Sequence, residues 1–170
     1  NETPWGTMKY LELAETKSLP RVASIQNAYN LVNRGFEIGL SEVAMHEQVG
    51  LLAYSPLAQG TLTGKYLGGQ MPQGSRLALF GDTPLMMRYK GNKTHQAIEM
   101  YVNLAKKYEI DPAQLAIQFC NIQPFVTSTI IGATTMEQLK TCIDSVDLDI
   151  TKEIMNEIRG IHKEIPNPAP

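Results

Sequence analysis

Apolar and polar positions along the chain repeat with periods that switch between helix and strand. Pro4 to Lys17 reads as a helix, with Thr3 as N-cap and Pro4 in the first helical position. "RVASIQNAYN" follows as a strand, favoured by the β-branched Val22 and Ile25. Phe36, Leu40 and Val43 then fall at i, i+4 and i+7, on one face of a second helix. "GLLAYSPL" is a continuous apolar run, the pattern of a strand buried on both faces of a parallel sheet. Two helices come next, one over about Thr94 to Tyr108 and one opening at "DPAQ", where Asp111 is the N-cap and Pro112 the first helical residue. "VTSTIIGA" is the third strand. A helix from Met136 aligns Met136, Leu139 and Ile143. A last helix opens at Thr151 and aligns Ile154, Ile158, Ile161 and Ile165. The tail "PNPAP", residues 166–170, reads as extended and free.

This order of elements is that of an α/β domain with parallel strands. Right-handed crossovers bring the carboxyl ends of such strands to one rim, where ligands of these folds bind. Residues 67–93 interrupt the pattern with Gly68, Gly69, Pro72, Gly74, Gly81, Pro84 and Gly91. A loop of that length inside a compact domain is usually functional or disordered. Three strands cannot close a barrel and leave two open edges. With an opening at the mouth of a helix and no methionine, the expectation is part of a longer protein.

Composition narrows the class. At 170 residues the chain can bury one core, and 43% hydrophobic with 19% charged residues is ordinary for a globular domain. A formal charge of -2 gives no reason to expect nucleic acid or a membrane surface as partner. No apolar run approaches the roughly 20 residues of a membrane span. Cys120 and Cys142 both lie in apolar helical contexts and read as buried free thiols of a reducing, cytoplasmic compartment.

Candidate chemistry gathers after the strands. Gln26, Asn27, Tyr29 and Asn30 follow the first, and Tyr54, Ser55, Pro56, Leu57 and Gly60 the second. Gly132, Thr134 and Thr135 follow the third. Thr135 and Gln138 match a capping box, while Gly132 and Ala133 would let a ligand approach the backbone. Thr135 either only caps its helix or marks an anion seat at the helix start. "GTLTGKY" is not a P-loop. Only three residues separate Gly60 and Gly64, where the motif has four, and Tyr66 stands where Ser or Thr would bind magnesium. Lys65 and Arg76 remain as cations able to meet a phosphate or simply to face solvent. His46, His95 and His162 lack metal-ligand spacing and read as surface residues. No G-x-G-x-x-G occurs, so the Rossmann fingerprint is absent.

Taken together, "NETPWG", "IQNAYN", "LLAYSPLAQGTLTGKY" and "IIGATTMEQLKT" resemble the aldo-keto reductases, closest to the bacterial Tas-like branch near the potassium-channel β-subunits. The resemblance runs essentially the whole chain. It implies a (β/α)8 TIM barrel of which this chain is the C-terminal half, strands six to eight with their helices. It also implies an NADPH-dependent oxidoreductase that reduces aldehydes or ketones, a small carbonyl substrate and no metal. The partner would be the missing N-terminal half-barrel or a second copy, and residues 67–93 would cover the cofactor. By resemblance Asn1 and Gln26 hold the nicotinamide carboxamide, and Tyr54 stacks on the nicotinamide ring. Ser55, Leu57 and Gly60 surround the pyrophosphate, with Lys65 and Arg76 as its cationic contacts. Gly132, Thr134 and Gln138 form the adenosine 2′-phosphate region. The family's acid–base residues come from earlier strands, so none is assigned here. Two further positions depart from the family: Thr141 and Cys142 stand where an acidic residue and an asparagine often meet the adenine. The alternative is a non-catalytic half-barrel that senses nucleotide or binds a protein.

Overall fold

The computed structural model describes all residues, 1–170. Its centre is a sheet of three parallel strands in the order β1 (Ser24–Ala28), β2 (Gly50–Tyr54) and β3 (Val126–Thr129). The register places Gln26 beside Leu52 and Leu52 beside Ser128, with an irregularity between Leu51 and Leu52. Alternation along a strand therefore sorts side chains to two faces. Ile25, Leu51 and Ala53 point into the core. Gln26 and Ser128 are exposed on the other face, and Leu52 and Tyr54 are half-buried there. Helices cover only the first face.

The helices are α1 (Pro4–Thr16), α2 (Leu40–Glu47), α3 (Arg76–Phe80), α4 (Pro84–Met87), α5 (Asn92–Lys107), α6 (Pro112–Asn121), α7 (Met136–Asp144) and α8 (Lys152–Glu164). Cap chemistry sets most starts. Thr3 accepts from the Gly6 N–H, Asp111 from those of Ala113 and Gln114, and Thr151 from that of Ile154. No helix is long and apolar enough to cross a membrane.

The core is aromatic at its middle. Tyr29 stacks on Phe119 at 5.7 Å and meets Phe125 edge-on at 5.3 Å. The same core cluster holds Leu51, Leu62, Leu115 and Ile158, all nearly inaccessible to solvent.

Several expectations are corrected. Phe36 does not belong to α2: it sits in a 3-10 turn (Gly35–Glu37), because Gly39 turns the chain at φ +86° before Leu40. Residues 67–93 are not structureless. A 3-10 turn, α3 and α4 lie within them, and Met86 and Tyr89 are buried. The tail is not free, since Ala169 is buried and its N–H donates to the Val32 carbonyl at 3.1 Å. His46 and His95 are exposed, but His162 is half-buried. It follows Ile158 and Ile161 along the buried side of α8, and its Nδ1 is enclosed without a partner. On α7 Met136, Leu139 and Ile143 do share one face, Met136 at 78% exposure and Leu139 half-buried, while Cys142 is buried.

Candidate functional site

The carboxyl ends of the three strands share one rim, as parallel pairing requires. Between Ser55 and Gly60, just beyond β2, the backbone enters the left-handed region four times, at Ser55 (φ 55°), Ala58 (φ 48°), Gln59 (φ 59°) and Gly60 (φ 89°). Three of these are not glycine, and such conformations cost on the order of 1 kcal/mol or more each. The winding folds the loop back on itself. The Ala58 N–H donates to the Ser55 carbonyl at 2.8 Å, and the Gly60 N–H to the Leu57 carbonyl at 2.8 Å. The N–H groups of Ser55 and Leu57 bond to nothing in the chain.

Polar side chains converge on this loop. Arg76, at the start of α3, donates from Nη1 to Gln59 Oε1 at 2.6 Å, and Gln59 Nε2 donates to Ser55 Oγ at 2.9 Å. A side chain at Gly60 would come within 3.1 Å of both Cε and Nζ of Lys65, so glycine lets the ammonium lie against the loop. Lys65 Nζ also lies 5.2 Å from the centre of the Tyr66 ring. Neither Lys65 nor Arg76 is among the ion-paired side chains. The loop is thus a surface with two unneutralised cations and free N–H groups, the chemistry of an anion seat. Leu57 is half-buried and anchors it to the core.

The Tyr54 hydroxyl donates to Asn1 Oδ1 at 2.8 Å, which brings the first residue of the chain to the rim. Asn27 fixes that placement: Oδ1 accepts from the Glu2 N–H at 3.1 Å, and Nδ2 donates to the Glu2 carbonyl at 3.0 Å. Gln26 lies exposed on the same sheet face as Tyr54, and its side chain makes no hydrogen bond. Gly132, Thr134 and Gln138 form a separate exposed group after β3. Thr134 donates to Gln138 Oε1 from its N–H at 3.0 Å and from its hydroxyl at 3.1 Å. The Gln138 N–H donates to Thr135 Oγ1 at 3.2 Å. The glutamine therefore reaches back to Thr134, one residue before the cap, rather than closing the box on Thr135. No hydrogen bond joins this group to the Ser55–Arg76 cluster.

Sequence reasoning named Asn30 with the rim but missed Gln59, which ties Arg76 to Ser55, and missed the bond by which Asn30 Nδ2 donates to the Ser55 carbonyl at 2.9 Å from a fully buried position. Neither type announces such a role, because each bond depends on the loop's turn. Tyr29, named with the rim, instead serves the core: its hydroxyl donates to Glu37 at 2.6 Å. A half-open groove of about 1200 Å³ lies alongside, between residues 67–93 and α5, with Thr61 and Tyr66 at its edge. Its lining includes none of Ser55, Gln59, Lys65 and Arg76, so the anion chemistry is assigned to the rim.

The family model described as "Aldo/keto reductase family" matches residues 1–163. The chain belongs to the aldo/keto reductase family. It is 50% identical over all of its length to "Protein tas" of Escherichia coli, covering 48% of that protein. It is 33% identical to "L-glyceraldehyde 3-phosphate reductase" of Escherichia coli over 85% of this chain and 42% of that one. A probable voltage-gated potassium channel subunit beta of Oryza sativa is 34% identical over 69% of this chain and 37% of its own length. The chain spans about half the length, or less, of these relatives. Three parallel strands with helices on one face are what part of this family's barrel would look like.

Proposed function

We propose that the rim seats NADPH and that the protein is a cytoplasmic oxidoreductase which reduces aldehydes or ketones. The observation that carries this reading is the convergence of Lys65, Arg76 and the left-handed Ser55–Gly60 loop beside Tyr54, at the carboxyl end of β2. In this reading β1 to β3 are strands six to eight of the barrel, and residues 67–93 cover the cofactor. NADPH supplies the hydride when bound. Tyr54, steadied by Asn1, offers its ring to the nicotinamide, and the amides of Asn1 and Gln26 meet the carboxamide as donor and acceptor. Ser55, Leu57 and Gly60 wrap the pyrophosphate, while Lys65 and Arg76 balance its charge. Gly132, Thr134 and Gln138 receive the 2′-phosphate at the start of α7. Cys142, buried on α7, leaves adenine recognition to other groups. Proton transfer to the carbonyl oxygen falls to barrel strands outside these residues, so the chain alone binds cofactor without turning over an aldehyde.

Isothermal titration with NADPH and NADH tests this. Expected are binding of both, with NADPH about tenfold tighter, and loss of that preference in Thr134→Val. Failure to bind either dinucleotide would sink the reading. Equal binding would remove the role of the Thr134 region alone.

A second reading is favoured by the uncovered sheet face and the open edges of β1 and β3. The chain would then be a nucleotide-sensing or protein-binding half-barrel, whose partner is the other half of a barrel or a second copy. Aldehyde turnover by the intact protein separates the two, since only the enzyme shows it.

A further inference from the structure

We propose that Gln59 is a positioning residue: its neutral amide latches the segment carrying Arg76 onto the β2 rim while leaving the guanidinium charge free for a diphosphate. The proposal rests on the dinucleotide reading above. The latch is a chain of two hydrogen bonds, Arg76 Nη1 to Gln59 Oε1 at 2.6 Å and Gln59 Nε2 to Ser55 Oγ at 2.9 Å. A second tie lies alongside, where the Leu77 N–H donates to the Tyr66 hydroxyl at 3.4 Å. Residues 76 and 77 are thus fastened to the loop that follows β2, across a stretch rich in left-handed glycines: Gly64, Gly68, Gly69 and Gly74.

Two features single out the amide. Gln59 stands at φ 59°, ψ 23°, where glycine would be relaxed and glutamine is strained. What glutamine provides there and glycine cannot is the bridge. The acceptor it offers Arg76 is also uncharged. Two other arginines meet carboxylates, Arg34 pairing with Glu37 and Arg21 approaching Glu47, while the exposed Arg159 meets the Asn156 amide at a longer 3.4 Å. A glutamate at 59 would hold Arg76 at least as firmly, but would cancel its charge. An amide fixes the direction of the guanidinium and keeps the site cationic, so the covering segment is held near the rim before any ligand arrives.

The test uses Gln59→Gly and Gln59→Glu in the intact protein, with NADPH titration and amide hydrogen exchange of the unliganded protein over residues 76–80. Gln59→Gly keeps or raises thermal stability, since its φ suits glycine. It is expected to speed exchange and to weaken NADPH binding about tenfold. Gln59→Glu is expected to slow exchange and yet weaken binding by at least as much. That opposite movement is one a merely structural role would not produce. In a double-mutant cycle, adding Gln59→Gly to Arg76→Ala should change affinity less than twofold, because the latch acts through Arg76. Wild-type affinity in Gln59→Glu, or fully additive losses in the double variant, would overturn the proposal. If the wild type binds no dinucleotide, the reading of the previous section fails. The exchange comparison in the unliganded proteins still judges the latch: unchanged protection in both variants refutes it.

Discussion

Arg34 is held by both oxygens of one carboxylate, Nε to Glu37 Oε1 at 2.6 Å and Nη2 to Oε2 at 2.8 Å. Its guanidinium also lies 5.2 Å from the centre of the Phe119 ring. The two side chains are only 12% and 28% exposed, so this is not a surface pair of negligible worth. Burial pushes the Glu37 carboxyl up, but hydrogen bonds from Arg34 and Tyr29 outweigh it and hold the group below the usual carboxylate range. Glu37→Gln would leave Arg34 without its counter-charge in a largely closed site. The expected loss is about 3 kcal/mol, read from urea unfolding. His162 feels the same cluster. Burial first, then the Arg34 charge, hold its imidazole below the ordinary value, with Glu37 pulling the other way. A depressed folded-state pKa means the unfolded chain takes the proton more readily. Its stabilising effect is complete above about pH 6.5 and fades as the pH falls through the folded value. His162→Gln should flatten that part of the stability–pH curve. The loss tied to Glu37, which begins lower, near the ordinary carboxylate value, should stay. An unchanged slope just below pH 6.5 would show that His162 is not the group responsible.

At the scale of elements, what was legible was what is local. Thr3–Pro4, Asp111–Pro112 and Thr151 each announce a helix start by chemistry within four residues, and each start stands where it was read. The third strand was also legible by type, though β3 ends at Thr129, before Ile130 and the glycine. What was hidden depends on neighbours. Ser75 caps α3 by accepting from the Ala78 N–H, but the glycines and prolines around it mask so short a helix. Met136, Leu139 and Ile143 share one face of α7 as their spacing implies, but Met136 and Ile143 are exposed on it, which periodicity alone does not tell. Caps differ in consequence. Asp111 Oδ1 accepts from Ala113 at 2.7 Å and Gln114 at 3.2 Å, at the head of a helix that buries Leu115, Phe119 and Cys120. Asp111→Ala should cost about 1 kcal/mol of global stability, as a lower denaturant midpoint at unchanged slope. Ser75→Ala should leave that midpoint in place, because α3 buries none of its residues and opens locally.

Across the whole molecule the rim was legible as residue types at strand ends, whereas the bonds that organise it were not. Asn1 meets Tyr54 across 53 positions and Arg76 meets Gln59 across 17, and no sequence pattern encodes either pairing. The widest of these ties closes the fold on itself. The Arg34 N–H donates to Asn167 Oδ1 at 2.7 Å across 133 positions. The Thr94 hydroxyl donates to the Pro168 carbonyl at 2.8 Å, and the Ala169 N–H to the Val32 carbonyl. These bonds clamp the tail between the segment after β1 and the start of α5. Val32 and Thr94 are almost wholly enclosed, so water cannot readily replace the tail as their partner. Ending the chain at Ile165 would strip partners from the Arg34 N–H, the Val32 carbonyl and the Thr94 hydroxyl. At about 1 kcal/mol for each group left unpaired in a buried setting, the expected loss is about 3 kcal/mol. Removing Pro170 alone, which is exposed, should cost nothing measurable. Urea midpoints for the two truncations decide it: if both match the intact chain, the clamp carries no stability and the tail merely lies against the surface.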